Sequence, residues 1–221
     1  MREQQGYELN RRQRSYLPVK RLLDIGICIP VCVILAPFML VCAVAVKLDT
    51  PGPVLFKQKR IGKDRTYFYI WKFRTMRVDA PKNVPTHLLA NPETYITRTG
   101  RFMRLHSIDE LPQIYQCLFT DSLSLVGPRP ALWNQEDLVE EREKYGANSV
   151  KPGITGWAQI NGRDELEIPV KARLDGEYIR HFGFAMDVRC FFGTFIHILR
   201  SDGVVEGGTG GIKREARDTR Q

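Results

Sequence analysis

Polar and apolar positions divide the chain into stretches of different rhythm. The residues up to Pro18 are polar and rich in arginine (Arg2, Arg11, Arg12, Arg14), and Lys20 and Arg21 follow. From Ile25 to Val46 no residue is charged, and about 20 apolar residues are what a helix needs to cross a bilayer. Pro30 and Pro37 lie inside that run; each removes a backbone donor and crowds the preceding turn, so a bend is expected. Basic residues precede the run and also follow it, at Lys47, Lys57, Lys59, Arg60, Lys63 and Arg65. Positive flanks stay in the cytoplasm, and a straight crossing satisfies only one of them, so the pattern predicts a re-entrant membrane helix hairpin. An ordinary tilted span is the competing reading, because membrane helices tolerate proline. A signal peptide fits poorly, since its apolar region is shorter and a small-residue cleavage site follows it.

After the turn-rich Asp49-Thr50-Pro51-Gly52-Pro53, Val54-Leu55-Phe56 and Tyr67 to Phe73 flank Gly62-Lys63-Asp64-Arg65, which predicts a β-hairpin. Pro81, Pro85 and Pro92 predict a loop between Asp79 and Thr97. Helical spacing returns from Arg101 to Phe119 and from Asn134 to Tyr145, and Phe184 to Leu199 forms an apolar stretch suited to a core or interfacial helix. The glycine-rich tail from Glu206 has no apolar face and is expected to be disordered. The expected layout is a basic arm (1–19), a re-entrant helix (20–48), a catalytic domain (49–205) and the tail (206–221). The fold class is α+β, mainly helical, with interfacial amphipathic helices.

With 221 residues the chain suits one catalytic unit, and its net charge of +8 suits an anionic partner: nucleic acid, lipid headgroups or a diphosphate. Neither the five cysteines nor the four histidines have zinc-ligand spacing. A nucleic-acid binder is disfavoured, because no reading motif is present and the acidic pair described next would have no task.

The informative block is Arg104-Leu105-His106-Ser107-Ile108-Asp109-Glu110-Leu111-Pro112-Gln113. Pro112 must lie in a first helical turn, which puts Asp109 and Glu110 at a helix N-terminus, where exposed N–H groups attract anions. A plain cap by Ser107 or Asp109 explains the same residues, and His106-Ser107-Asp109 weakly suggests a hydrolase triad. Trp71-Lys72-Phe73-Arg74-Thr75-Met76, Val126-Gly127-Pro128-Arg129-Pro130 and the glycine- and amide-rich Lys151 to Arg163 supply the cations and close-approach glycines that phosphate recognition uses.

Taken together, KRLLDIG, WKFRTM, RLHSIDELPQ, VGPRP and KPGITGWAQINGR resemble, in order and across Lys20 to about Val204, the bacterial sugar transferases of the monotopic phosphoglycosyl transferase family. The resemblance implies a membrane helix broken at Pro37, where Ala36 stands in place of the common serine, and a position on the cytoplasmic face of a bacterial inner membrane. It implies Mg²⁺ as cofactor, Asp109 as nucleophile with Glu110 beside it at the metal, and phosphate contacts from Lys72, Arg104 and Arg129. Gln113 and Arg163, in the same motifs, would bind substrate. The implied partners are a UDP-sugar, a polyprenyl (undecaprenyl) phosphate and membrane lipids, with no nucleic acid; a homo-oligomer is compatible. The implied reaction is sugar-1-phosphate transfer at the start of membrane-linked glycan assembly. A metal-dependent phosphohydrolase of nucleotide sugars is the alternative.

Overall fold

A computed structural model describes residues 7–81, 91–162 and 166–199, the last three without their side chains. Residues 82–90 of the expected proline-rich loop, the expected disordered tail and Arg163 lie outside these residues. Helix α1 (Arg11–Asp49) carries the apolar run and continues through Pro30 and Pro37. It is about 58 Å long at 1.5 Å per residue, and it is long and apolar enough to enter or cross a membrane. The expected hairpin forms from β1 (Leu55–Ile61) and β2 (Tyr67–Phe73) around a 3₁₀ turn at Lys63–Arg65. The periodic stretch from Arg101 to Phe119 is two helices, α2 (Arg98–Leu105) and α3 (Pro112–Phe119), because Ser107 turns left-handed at φ 54° and ends the first. The chain then forms β3 (Ser124–Val126), α4 (Glu136–Glu143), β4 (Gly153–Thr155), α5 (Trp157–Ile160), α6 (Ile168–Arg180) and α7 (Phe184–Leu199).

The described residues divide into two compact units, one gathering those up to Val33, Lys59–Ile70 and those from Gln113 to Leu199, the other Ile34–Gln58 and those between Trp71 and Pro112. In the first, Val126, Val150, Tyr178, Ile179, Phe182, Met186 and Cys190 form the core. Strands β3 and β4 pair in parallel, Ser124 opposite Gly153 and Val126 opposite Thr155. The glycines of the VGPRP and KPGITG motifs make this pairing possible. A Cβ on Gly153 would stand 2.0 Å from Gly127 N, and one on Gly156 would stand 2.0 Å from Gly127 O. Gly127 N donates to Thr155 O and Gly153 N to Pro128 O. The close backbone approach expected for a phosphate is therefore made by another strand, and these two N–H groups are consumed in it.

The same unit holds the first part of α1 through polar contacts. Lys20 Nζ donates to Asp187 Oδ2 at 2.7 Å, and the Tyr16 and Tyr178 hydroxyls complete that carboxylate's shell. Arg21 donates to the carbonyls of Cys117 and Thr120 at the end of α3. Asp24 accepts from Ser124 Oγ at 2.7 Å and from Leu125 N at 3.2 Å. Lys20 and Arg21, part of the basic flank before the apolar run, turn into the protein. Burial, with Asp187 nearby, pushes the Cys190 thiol up to about 12, so it stays protonated and inert.

In the second unit, Cys42 and Val46 of α1 pack with Phe73 of β2 and Met103 of α2. Between these contacts and those of Cys28 and Cys32, which are also buried, α1 exposes Val33, Ile34, Leu40 and Val41 at 65–73% of their area.

Candidate active site

The end of β2 and the residues after it position the site. Thr75 O accepts from Thr97 N at 3.0 Å, Thr97 Oγ1 caps α2 by accepting from Gly100 N, and Gly100 lies so close that a Cβ there would meet Thr75 O at 2.2 Å. Helix α2 is thereby seated against Thr75, and Arg104, one turn later, donates from Nε to Thr75 Oγ1 at 2.8 Å. Among the described residues no partner takes the terminal nitrogens of Arg104, so the forked end of the guanidinium is available to an anion.

After the left-handed turn at Ser107, Asp109 and Glu110 lie in a 3₁₀ turn, Ile108–Glu110, directly before α3. Pro112 opens α3, as expected, but the acidic pair precedes the helix and does not occupy its first turn. Ser107 makes no side-chain cap bond, so the simple capping explanation fails for it. His106 ends α2 with Nδ1 on Phe102 O and its ring against the Phe102 ring; these contacts hold the ring to its own helix and leave the triad reading without support.

Asp109 is 3% exposed. Lys72 Nζ donates to Glu110 Oε1 at 2.7 Å, both side chains being largely buried. A charge-assisted bond at this burial holds lysine and glutamate in one geometry. Lys72, Arg104, Asp109 and Glu110 thus belong to one unit, with two carboxylates at consecutive positions and two cations from other elements. Among the described residues no cluster of three or more His, Cys, Asp or Glu forms a closed metal site. Mg²⁺ does not need one, because it is commonly held by one or two carboxylates together with substrate phosphates. Asp109 and Glu110 fit that donor set.

Other expected site residues belong to the other unit. Gln113 is 2% exposed in the first turn of α3, and among the described residues its Nε2 has no hydrogen-bond partner. Arg129 follows β3 and lines a narrow cleft with Gly62, Arg142 and Asn148. The sequence reading missed Arg74. Grouped with Lys72 as a phosphate cation, it is buried and donates to the carbonyls of Thr50, Pro51 and Pro53. The sequence signal was its alternation with Lys72 about Phe73: in a strand, Lys72 and Arg74 share one face, but only the fold says which anion or carbonyl each meets.

Residues 15–201 match the model of the bacterial sugar transferase family. The chain is 40% identical over 183 residues to an Escherichia coli UDP-glucose:undecaprenyl-phosphate glucose-1-phosphate transferase, covering 80% of this chain and 39% of that protein. It is 35% identical to an Aeromonas hydrophila UDP-N-acetylgalactosamine-undecaprenyl-phosphate N-acetylgalactosaminephosphotransferase, over 85% of this chain and 45% of the relative. The exopolysaccharide production protein PSS of Rhizobium leguminosarum is 38% identical over 83% of this chain and 96% of its own length. The chain thus spans about two fifths of the glucose-1-phosphate transferase it matches and nearly all of a shorter relative. With a family model covering most of its length and the motif residues Lys72, Arg104, Asp109 and Glu110 in one unit, the chain belongs to the bacterial sugar transferase family.

Proposed function

We propose that the protein transfers a sugar 1-phosphate from a UDP-sugar to undecaprenyl phosphate at a membrane surface and releases UMP. The observation that carries this is the buried Lys72–Glu110 pair next to Asp109, with the Arg104 fork in the same unit, in a chain whose family includes UDP-sugar:undecaprenyl-phosphate phosphotransferases. A diphosphate must be neutralised before a carboxylate can approach it. Lys72 and Arg104 supply positive charge, and Mg²⁺, held by Asp109 and Glu110 when bound, would supply more. Asp109 attacks the phosphorus that bears the sugar, the bond to the UMP oxygen breaks, and an aspartyl-phosphosugar forms. An oxygen of the polyprenyl phosphate then attacks that phosphorus and frees the carboxylate. Gln113, Arg129 and Arg163 are assigned to substrate binding.

In this reading α1 enters the inner membrane from the cytoplasmic face as a re-entrant helix, supported by its apolar length, and α7, whose Phe184, Phe192, Phe195 and Ile196 are exposed, lies at the interface. The deciding experiment incubates the protein and Mg²⁺ with a panel of UDP-sugars, with and without undecaprenyl phosphate, and measures UMP. Turnover is expected for at least one donor and only with the lipid. Continuous turnover without lipid means that water resolves the intermediate and the protein is a phosphohydrolase. The relatives' differing sugars make the panel necessary. With donor alone, a single burst of UMP and a protein mass increase of one phosphosugar are expected, and Asp109→Asn should abolish both.

A further inference from the structure

Arg74 donates from Nε to Pro53 O at 2.7 Å, from one terminal nitrogen to Thr50 Oγ1 at 2.8 Å and Pro51 O at 3.1 Å, and from the other to Thr50 O at 2.7 Å. That second nitrogen also lies 3.5 Å from Val46 O, in the last turn of α1. The side chain is 5% exposed, and its backbone N donates to Val54 O. A helix C-terminus leaves carbonyls without intrahelical partners and carries partial negative charge; a guanidinium there answers both needs. Arg74 therefore binds the end of the apolar helix and the turn that follows it. Gly52, at φ +132°, lets that turn close over the guanidinium: a Cβ on it would stand 3.3 Å from an Arg74 terminal nitrogen and 2.7 Å from Val78.

The neighbours of Arg74 in sequence are site residues. Lys72, two positions earlier, holds Glu110, and Thr75, one position later, holds Arg104. From the helix side, Asp49 Oδ2 accepts from Thr99 N in the first turn of α2, the helix that carries Arg104. The end of α1 is thus joined to the phosphate-binding residues by two polar links, both inside one unit.

We infer that Arg74 is a positioning residue that sets the height of the site above the membrane: it fixes Lys72 and Arg104 relative to the helix end, and so to the depth at which a polyprenyl phosphate headgroup is presented. The inference rests on the proposed transferase reading. The nucleotide sugar arrives from solution and does not depend on that height, whereas the acceptor is confined to the bilayer. Loss of Arg74 should therefore impair the lipid far more than the donor.

The experiment compares wild type, Arg74→Ala and Thr50→Val, using undecaprenyl phosphate in nanodiscs and, separately, a water-soluble short-chain polyprenyl phosphate. For Arg74→Ala, KM for the embedded acceptor should rise about tenfold or more, since misplacement by about an ångström costs up to two orders of magnitude in rate. KM for the UDP-sugar should stay within about twofold of wild type, and the defect should shrink with the soluble acceptor. Thr50→Val removes one Arg74 acceptor and should show the same split at about threefold, which keeps the test open if Arg74→Ala does not fold. Equal losses with both acceptors, or a donor KM that rises with the lipid KM, would overturn the inference, as would a Thr50→Val enzyme indistinguishable from wild type. A wild-type protein that releases no UMP with any donor refutes the transferase reading itself, a result separate from all of these.

Discussion

Lys72 and Glu110 hold each other at 2.7 Å with 13% and 16% of their side chains exposed, so neither loss is a surface event. Removing the lysine takes a charge-assisted hydrogen bond from a largely buried carboxylate and a positive charge from the site. Lys72→Met, which keeps the aliphatic stem, should lower kcat/KM about a hundredfold in the UMP-release assay, the scale of losing one electrostatic donor at a transition state. Glu110→Gln keeps shape and hydrogen bonding to Lys72 but loses charge. It should raise the Mg²⁺ concentration needed for half-maximal activity, a shift read directly from a Mg²⁺ titration. These residues were legible in the sequence because an acidic pair before Pro112 and a lysine among aromatics are chemically conspicuous. Arg74 was equally conspicuous and was misread, because its partners are carbonyls of Thr50, Pro51 and Pro53, and a carbonyl belongs to any residue type. Sequence announces donors well and backbone acceptors hardly at all.

At the scale of elements, two contacts decide whether the site has a frame. Helix α2 sits on Thr75 through Gly100, where a Cβ would fall 2.2 Å from a backbone oxygen; no side chain can swing aside to relieve it. Gly100→Ala should cost about 1–3 kcal/mol or more and reduce activity together with stability, because the helix that must shift also carries Arg104; urea unfolding and UMP release on the same variant check both. Helices α4 and α6 are joined by Arg142 and Asp175, at 2.6 Å with side chains 5% and 1% exposed. Asp175→Ala strands a buried guanidinium and should destabilise the fold by about 3–5 kcal/mol, measurable as a lower denaturant midpoint. The hairpin and the existence of α4 and α7 could be read from periodicity and turn residues. The parallel pairing of β3 with β4 could not, since each strand has only three residues and the signal lies in glycines whose role is to admit another backbone. Helix α6 was also missed: its Pro169 reads as a breaker until it is seen near the helix start, where proline is at home.

For the whole molecule the question is how a helix about 58 Å long, whose uncharged run from Ile25 to Val46 covers about 33 Å, meets a bilayer whose hydrocarbon core is about 30 Å thick. Length alone permits a straight crossing. Each end is anchored in the folded polar structure of its own unit: Lys20, Arg21 and Asp24 by α7, α3 and β3, and Val46 to Asp49 by Arg74 and α2. Re-entrant entry predicts that both ends of α1 lie on one side, and the apolar residues that the helix exposes around Pro37 are Val33, Ile34, Leu40 and Val41. Single cysteines introduced at Arg14 and at Lys63, both exposed or half-exposed in the fold, should react with an impermeant maleimide only from the cytoplasmic side; the native cysteines are all buried. Reaction of either site from the periplasmic side would establish a straight span. Pro37→Ala restores a backbone donor in the helix, yet it touches none of the anchoring hydrogen bonds. Labelling at both sites should therefore be unchanged in that variant. If Pro37→Ala instead moves one site to the periplasm, the proline holds the helix in place and the anchors do not.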